Sequence, residues 1–288
     1  MIRFRFVRLS LLMLCLSMIA AAIFAQAATT EFEPTVGQAG KDVIWVPTSQ
    51  DLVNKMLDMA KVTAEDYVID LGSGDGRTVI TAAKRGARAL GIEFNPDMVA
   101  LSKRNAAREG VSDKAQFIEG DIFKSDFSQA TVITMFLLEE INFQLRPKIL
   151  NLKPGTRIVS NSFTMREWEA DETFTLENSP ECSVYCTALL WIVPAKVEGT
   201  WMLSQGELVL QQAFQKVSGA LNSGAKTLPI TNGRLKGDQI SFSVSGTTYT
   251  GRVNGNSMQG TFESGGKTTP WSATRVIKAR APTQKPKS

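Results

Sequence analysis

The 288-residue chain carries 32 Lys and Arg against 28 Asp and Glu, is 43% hydrophobic, and contains no histidine. Histidine-based catalytic triads and His-ligated zinc sites are therefore excluded, and no metal site is expected. The formal charge of +4 includes Arg3, Arg5 and Arg8; without that leading segment it is +1, so there is no basic excess to bind nucleic acid.

Those arginines precede an apolar run from Leu9 to Ala25, followed by Ala25-Gln26-Ala27, the pattern of a signal peptide over residues 1–27. At seventeen residues the run is marginal for a membrane span, so an uncleaved anchor is the alternative. Both readings predict an exported protein, periplasmic or secreted. Cys15 leaves with the leader, and Cys182 and Cys186 are then the mature cysteines. On one extended strand their Cα atoms would stand roughly 13 Å apart at about 3.3 Å per residue, too far to bridge. A turn between them permits a disulfide; otherwise they are two small core residues.

Thr48 or Ser49 can cap a helix that places Leu52, Val53, Met56, Leu57 and Ala60 on one face. Tyr67 to Leu71 reads as a strand that runs into glycine at 72, 74 and 76, a loop where a ligand can lie against bare main chain. A dinucleotide fingerprint would require glycine at 77, where the chain has Arg77. Arg77 to Arg85 suits a helix stopped by Gly86, Ala87 to Glu93 a second strand, and Asn95-Pro96 the start of a helix ending at Gly110. Strands are expected at Ala115–Ile118, Thr131–Phe136 and Thr156–Ser162, with a helix at Glu139–Leu150. Thr173–Glu177 and Val184–Val193 follow without an intervening helix and should form an antiparallel hairpin. The alternation predicts a doubly wound α/β sheet of Rossmann-like type with seven strands, over residues 41–194.

Past Pro194 the helical period gives way to short alternating segments with a recurring apolar-x-Gly-x-apolar pattern, as at Val197-Gly199-Trp201, Val217-Gly219-Leu221, Tyr249-Gly251-Val253 and Met258-Gly260-Phe262. A small all-β barrel or sandwich of six to eight antiparallel strands is expected over 195–277. The lysine- and proline-rich residues 278–288 have the composition of a disordered tail.

The Asp70-Leu71-Gly72-Ser73-Gly74-Asp75-Gly76 loop resembles motif I of the class I methyltransferases that bind S-adenosylmethionine. Trp45-Val-Pro-Thr48, the Asp75-Gly-Arg77 continuation, Gly91-Ile-Glu-Phe-Asn-Pro96 and Arg108-Glu-Gly110 narrow this: residues 43 to 165 resemble the small seven-strand lysine methyltransferases that act on the c-type rotor protein of ATP synthase and on the adenine nucleotide translocase. The resemblance implies S-adenosyl-L-methionine as cofactor and a protein lysine as acceptor. By it, Asp70, Gly72, Gly74 and Gly76 hold the methionine and ribose part of the donor, Glu93 the ribose hydroxyls and Asp121 the adenine amino group, with Pro47 and Thr48 over the donor. Phe136, Glu139 and Glu140, after the fourth strand, are acceptor-side candidates. The acidic pair has a simpler reading, since helix N-termini favour acids. Export and the added β domain depart from those relatives and point to an envelope or membrane-associated target. The competing readings are an exported, non-catalytic binding or structural protein that keeps the nucleotide-binding shell, and a small-molecule methyltransferase.

Overall fold

The computed structural model describes residues 31–177, 179–180 and 182–277. The leader, its cleavage or anchoring, and the C-terminal tail lie outside the described residues. The first region after residue 34 holds four helices, α1 (Gln50–Met59), α2 (Arg77–Lys84), α3 (Pro96–Arg108) and α4 (Glu139–Ile149). They alternate with strands β1 (Tyr67–Leu71), β2 (Arg88–Glu93), β3 (Ala115–Glu119), β4 (Val132–Met135) and β5 (Arg157–Asn161), which β6 (Glu172–Thr175) and β7 (Thr187–Ile192) complete.

The strand order is β3-β2-β1-β4-β5-β7-β6, parallel as far as β5, with β7 antiparallel between β5 and β6. This is the seven-strand sheet and terminal hairpin expected from the sequence. Both faces of the central strands are covered, so these strands are continuous apolar runs rather than alternating ones. Val68, Ala89, Val132 and Val159 face α1, α2 and α3, while Ile69, Ile133 and Ile158 face the layer of Ile141, Leu145 and Ile149 from α4. Ser49 caps α1 through its side chain, and Asn95 caps α3 with Pro96 at the first turn.

Strand order reverses at β1, which pairs in parallel with β2 on one side and with β4 on the other. Such a switch point leaves a crevice at the carboxyl ends of the strands. Asp70, Gly91 and Thr134 stand side by side there in register.

The second region is a closed antiparallel barrel, not a sandwich: β8 (Gly199–Leu203), β9 (Gly206–Ala213), β10 (Lys216–Ser223), β11 (Lys226–Lys236), β12 (Gln239–Val244), β13 (Thr247–Asn254), β14 (Ser257–Ser264) and β15 (Lys267–Arg275), with β15 returning to β8. Closure leaves no sheet edge for a further chain. The recurring glycines serve this closure. Gly251 pairs with Gly260 across β13 and β14, and a Cβ on Gly251 would stand 2.8 Å from the ring of Trp271. The missing side chains let Trp271 lie against the backbone and pack edge-on to Phe242 and Tyr249.

The barrel meets the sheet region through Phe214, which stacks on Trp168 at 5.9 Å, through Gln215 Nε2, which donates to the Glu169 carbonyl, and through the Arg234–Asp171 ion pair. Trp271→Ala should cost about 3–5 kcal/mol of barrel stability through the lost contacts and the remaining cavity, which urea unfolding of the variant and the parent measures.

Candidate active site

The crevice is walled by the glycine loop, the ends of β2, β3 and β4, and an N-terminal strap. The strap is a short hairpin in which Trp45 N–H donates to the Gln38 carbonyl and Gly37 N–H to that of Trp45, and residues from Gln38 to Thr48 line the cavity. Gly72 and Gly74 have φ of +78° and +53°, which presents bare main chain to the cavity. Trp45 lies so close over the loop that a Cβ on Gly74 would be 2.8 Å from its indole nitrogen.

Asp70 ends β1 with 6% of its surface exposed, and its Oδ1 accepts a hydrogen bond from Thr134 Oγ1 at 2.6 Å. Burial raises its pKa to about 7 despite that hydrogen bond, and the charges of Glu93 and Asp75 push the same way. In its charged form this carboxylate therefore favours a cationic partner. Glu93, at the end of β2, accepts from Gly74 N–H at 2.9 Å and from Asn95 N–H at 3.0 Å, one bond to each oxygen. Each oxygen keeps acceptor capacity towards the cavity it lines. Ser73 Oγ is buried without a hydrogen-bond partner, in a space that exists because residue 91 is glycine, where a Cβ would stand 2.5 Å away.

Asp121 lines the same cavity. Its pKa is lowered, first by the hydrogen bond from Lys41 Nζ at 3.0 Å and then by that from Phe123 N–H. Lys41 also lies 4.9 Å from the Phe94 ring centroid, so it ties the strap to the ends of both β2 and β3. Pro47 and Thr48 line the cavity from the strap, and Phe136 from the end of β4.

Three expected site residues lie elsewhere. Gly76 caps α2 with φ +84°, and its bare Cα packs on Phe117 and Ser102, so its freedom serves the turn and the packing of α3 and β3 rather than the cavity wall. Glu139 and Glu140 open α4 but lie outside the cavity wall, where Arg166 pairs with both and Thr164 donates to Glu139. They follow the helix-terminus preference for acids. Lys41, Ser73, Phe163 and Tyr185 also stand on the cavity wall, and sequence reasoning does not single them out. Ser73 lies within the glycine loop that the sequence marks, Lys41 and Phe163 sit among ordinary loop residues, and for Tyr185 the one signal is its place between Cys182 and Cys186.

The cavity suits a ligand with a cation for Asp70 and a diol for Glu93. A diphosphate does not suit it, because Asp70, Asp75 and Glu93 crowd the loop and Arg77, at the helix start, is already engaged by Asp75 and the Thr48 carbonyl. Fold and site together are those of a class I methyltransferase.

The chain's residues 70–172 match the family model of the ANTKMT methyltransferase domain. The chain is 44% identical over 139 residues to a protein-lysine N-methyltransferase of Saccharolobus islandicus, an alignment that spans 47% of this chain and 86% of the relative. Against the Rattus norvegicus lysine N-methyltransferase of the ATP synthase c-subunit it is 34% identical over 156 residues, 53% of this chain and 70% of the relative. Among solved structures, an RNA methyltransferase from Salinibacter ruber in complex with S-adenosyl-L-homocysteine is 43% identical, with 53% of this chain and 96% of that one covered and a TM-score of 0.49. The chain belongs to this family of S-adenosylmethionine-dependent methyltransferases.

The raised pKa of Asp70 fixes a sign. Its carboxyl holds a proton more tightly in the fold than in the unfolded chain, where 3.8 is the reference, so stability is fullest below about pH 4 and declines as pH rises to about 7. Asp70→Asn should be more stable than the parent above pH 7, by on the order of a few kcal/mol, and lose that gain near pH 4; thermal melts across pH check it.

Proposed function

We propose that this protein methylates the side-chain amine of a lysine in a protein substrate, and that it does so outside the cytoplasm on an envelope or membrane-associated target. The observation that carries the acceptor class is the asymmetry of the cavity. Its glycine-loop side is acidic and polar, whereas beyond the β4 end it is walled by Phe136, Leu137, Leu138, Ile141, Phe163 and Tyr185. Lysine attacks as the neutral amine, and an apolar wall disfavours its protonated form. The names of the two relatives support the same acceptor.

Asp70 would hold the cofactor's ammonium, Glu93 its ribose hydroxyls, the main chain of Gly72 and Gly74 its amino-acid portion, and Trp45, Pro47 and Thr48 would cover it. Asp121, shared with Lys41, would meet the adenine edge. The bound cofactor supplies a methyl group on a sulfonium, already activated for transfer, so these residues serve alignment and exclusion of water rather than acid–base work.

Apolar residues that line the cavity are also exposed at its mouth, namely Ile44, Phe94 and Leu138. A target whose lysine is flanked by apolar residues suits such a rim. Among the described residues no helix is long and apolar enough to cross a membrane. The Cys182–Cys186 disulfide supports an oxidising compartment, in keeping with the export signal expected at the N-terminus.

Two measurements test the reading. Calorimetric titration with S-adenosylmethionine should show an affinity that falls by up to about tenfold per pH unit below about 7, as Asp70 takes up a proton, and Glu93→Gln should weaken binding by about tenfold; NAD should not bind. Incubation of envelope proteins with methyl-labelled cofactor should place the label on lysine, read by mass spectrometry of digests. Label confined to nucleic acid or to small molecules would refute the acceptor class.

A further inference from the structure

The cofactor residues occupy one side of the cavity, and three aromatic rings from three separate segments meet at its apolar end. Phe136 follows β4, Phe163 follows β5 and Tyr185 belongs to the loop between β6 and β7, with ring centroids 6.0, 5.3 and 5.6 Å apart. All three line the cavity that Asp70 and Glu93 line from the other side.

Two of these rings are fixed by ordinary means. Phe136 is continuous with a fully buried strand. The carbonyl of Phe163 accepts from Ser160 Oγ at 2.8 Å and from Asn142 Nδ2 at 3.1 Å, so the chain leaving β5 is tied to α4. Tyr185 is different. It is 42% exposed and has φ +61°, a left-handed conformation that non-glycine residues adopt at a cost. Its neighbour Cys186 is bonded to Cys182, with Cα atoms 5.7 Å apart, so the exposed residues between them form a closed loop. The crosslink removes conformations in which Tyr185 would swing into solvent.

We propose that Phe136, Phe163 and Tyr185 are the acceptor-amine site, and that the Cys182–Cys186 disulfide is the positioning element that keeps Tyr185 in it. This rests on the reading of the protein as a lysine methyltransferase. In the transfer, the amine lone pair forms the new N–C bond while the pair of the C–S bond stays with sulfur. Positive charge thereby passes from sulfur to nitrogen, and the nitrogen then releases a proton to solvent at the open mouth. The three centroids are close enough together that one cation at this end of the cavity can come within the ~6 Å reach of ring faces. The ring faces attract the charge as it arrives on nitrogen more strongly than they attract the neutral ground-state amine, which is the differential interaction that transfer requires. The disulfide loop makes this wall dependent on oxidation. A dithiol reductant delivers two electrons and two protons to the cysteine sulfurs, is itself oxidised to a cyclic disulfide, and releases the loop.

The test uses the mature protein with two probes. S-adenosylhomocysteine is titrated by calorimetry. The methylated acceptor is represented by Nα-acetyl-Nε-trimethyl-lysine amide, whose binding to the S-adenosylhomocysteine complex is followed by ligand-observed NMR. Tyr185→Ala, the double variant Cys182→Ser with Cys186→Ser, and dithiothreitol-treated parent should bind the trimethyl-lysine probe about tenfold more weakly than the oxidised parent. Their S-adenosylhomocysteine affinity should stay within about twofold, which also shows that each is folded, and Tyr185→Phe should retain the probe. Unchanged probe affinity in Tyr185→Ala, or no probe binding to an oxidised parent that does bind S-adenosylhomocysteine, overturns the acceptor site. Probe binding that survives reduction and the cysteine exchange overturns the positioning role of the disulfide. A parent that fails to bind S-adenosylhomocysteine refutes the cofactor reading instead.

Discussion

A carboxylate buried where the strand order reverses is the constraint around which this molecule is arranged. Asp70 is placed between Gly91 and Thr134 by the pairing of β1 with both neighbours. Thr134 meets one of its oxygens, and no cation lies among the groups that shift it. An ionised group in that position opposes folding unless something of opposite charge joins it. The fold accepts this cost on the wall of a cavity where a cationic ligand can relieve it. Around that point, the glycine loop, Glu93 and the strap all present acceptors or bare backbone, and each is held by main-chain hydrogen bonds that ligand binding need not break.

From this centre the two sides of the cavity diverge in chemistry. The donor side collects acids because it meets a cation and a diol. The opposite end is aromatic and aliphatic, which on the proposed reading keeps an acceptor amine neutral and removes its water. Among the described residues, none from the barrel lines the cavity. Its docking through Phe214, Gln215 and Arg234 fixes it to the segment after β5, which also carries Phe163.

The local features of the fold were legible because they follow local rules. Asn95-Pro96 opens a helix by capping chemistry, the apolar run at Val68–Leu71 forms a doubly covered strand, and glycine alternation after Asp70 marks a ligand loop. The resemblance of the Asp70–Gly76 loop to motif I named the cofactor, and Trp45-Val-Pro-Thr48 with Asp75-Gly-Arg77 narrowed the family. Asp70, Gly72, Gly74, Glu93, Asp121, Pro47, Thr48 and Phe136 come together on one cavity. Gly76 did not, because a glycine in such a loop serves either a ligand or a tight packing contact, and what decides is the neighbour, Phe117, from forty-one residues further along the chain. Glu139 and Glu140 did not, because a helix start tells nothing of which way its acids face.

By itself the sequence determined the order of strands and helices, the change to an antiparallel region after Pro194, and the chemistry of the cofactor loop, since these depend on residue types a few positions apart. Tertiary structure decided what depends on distant residues meeting. Lys41 reaches Asp121 and Tyr185 reaches Phe136 and Phe163 across the cavity. The turn that lets Cys182 bond Cys186, and the return of β15 to β8 that makes the β region a barrel, are likewise contacts that no spacing fixes. Side chains brought together by packing leave no periodic trace in the chain, and the aromatic end of this cavity is made of such contacts.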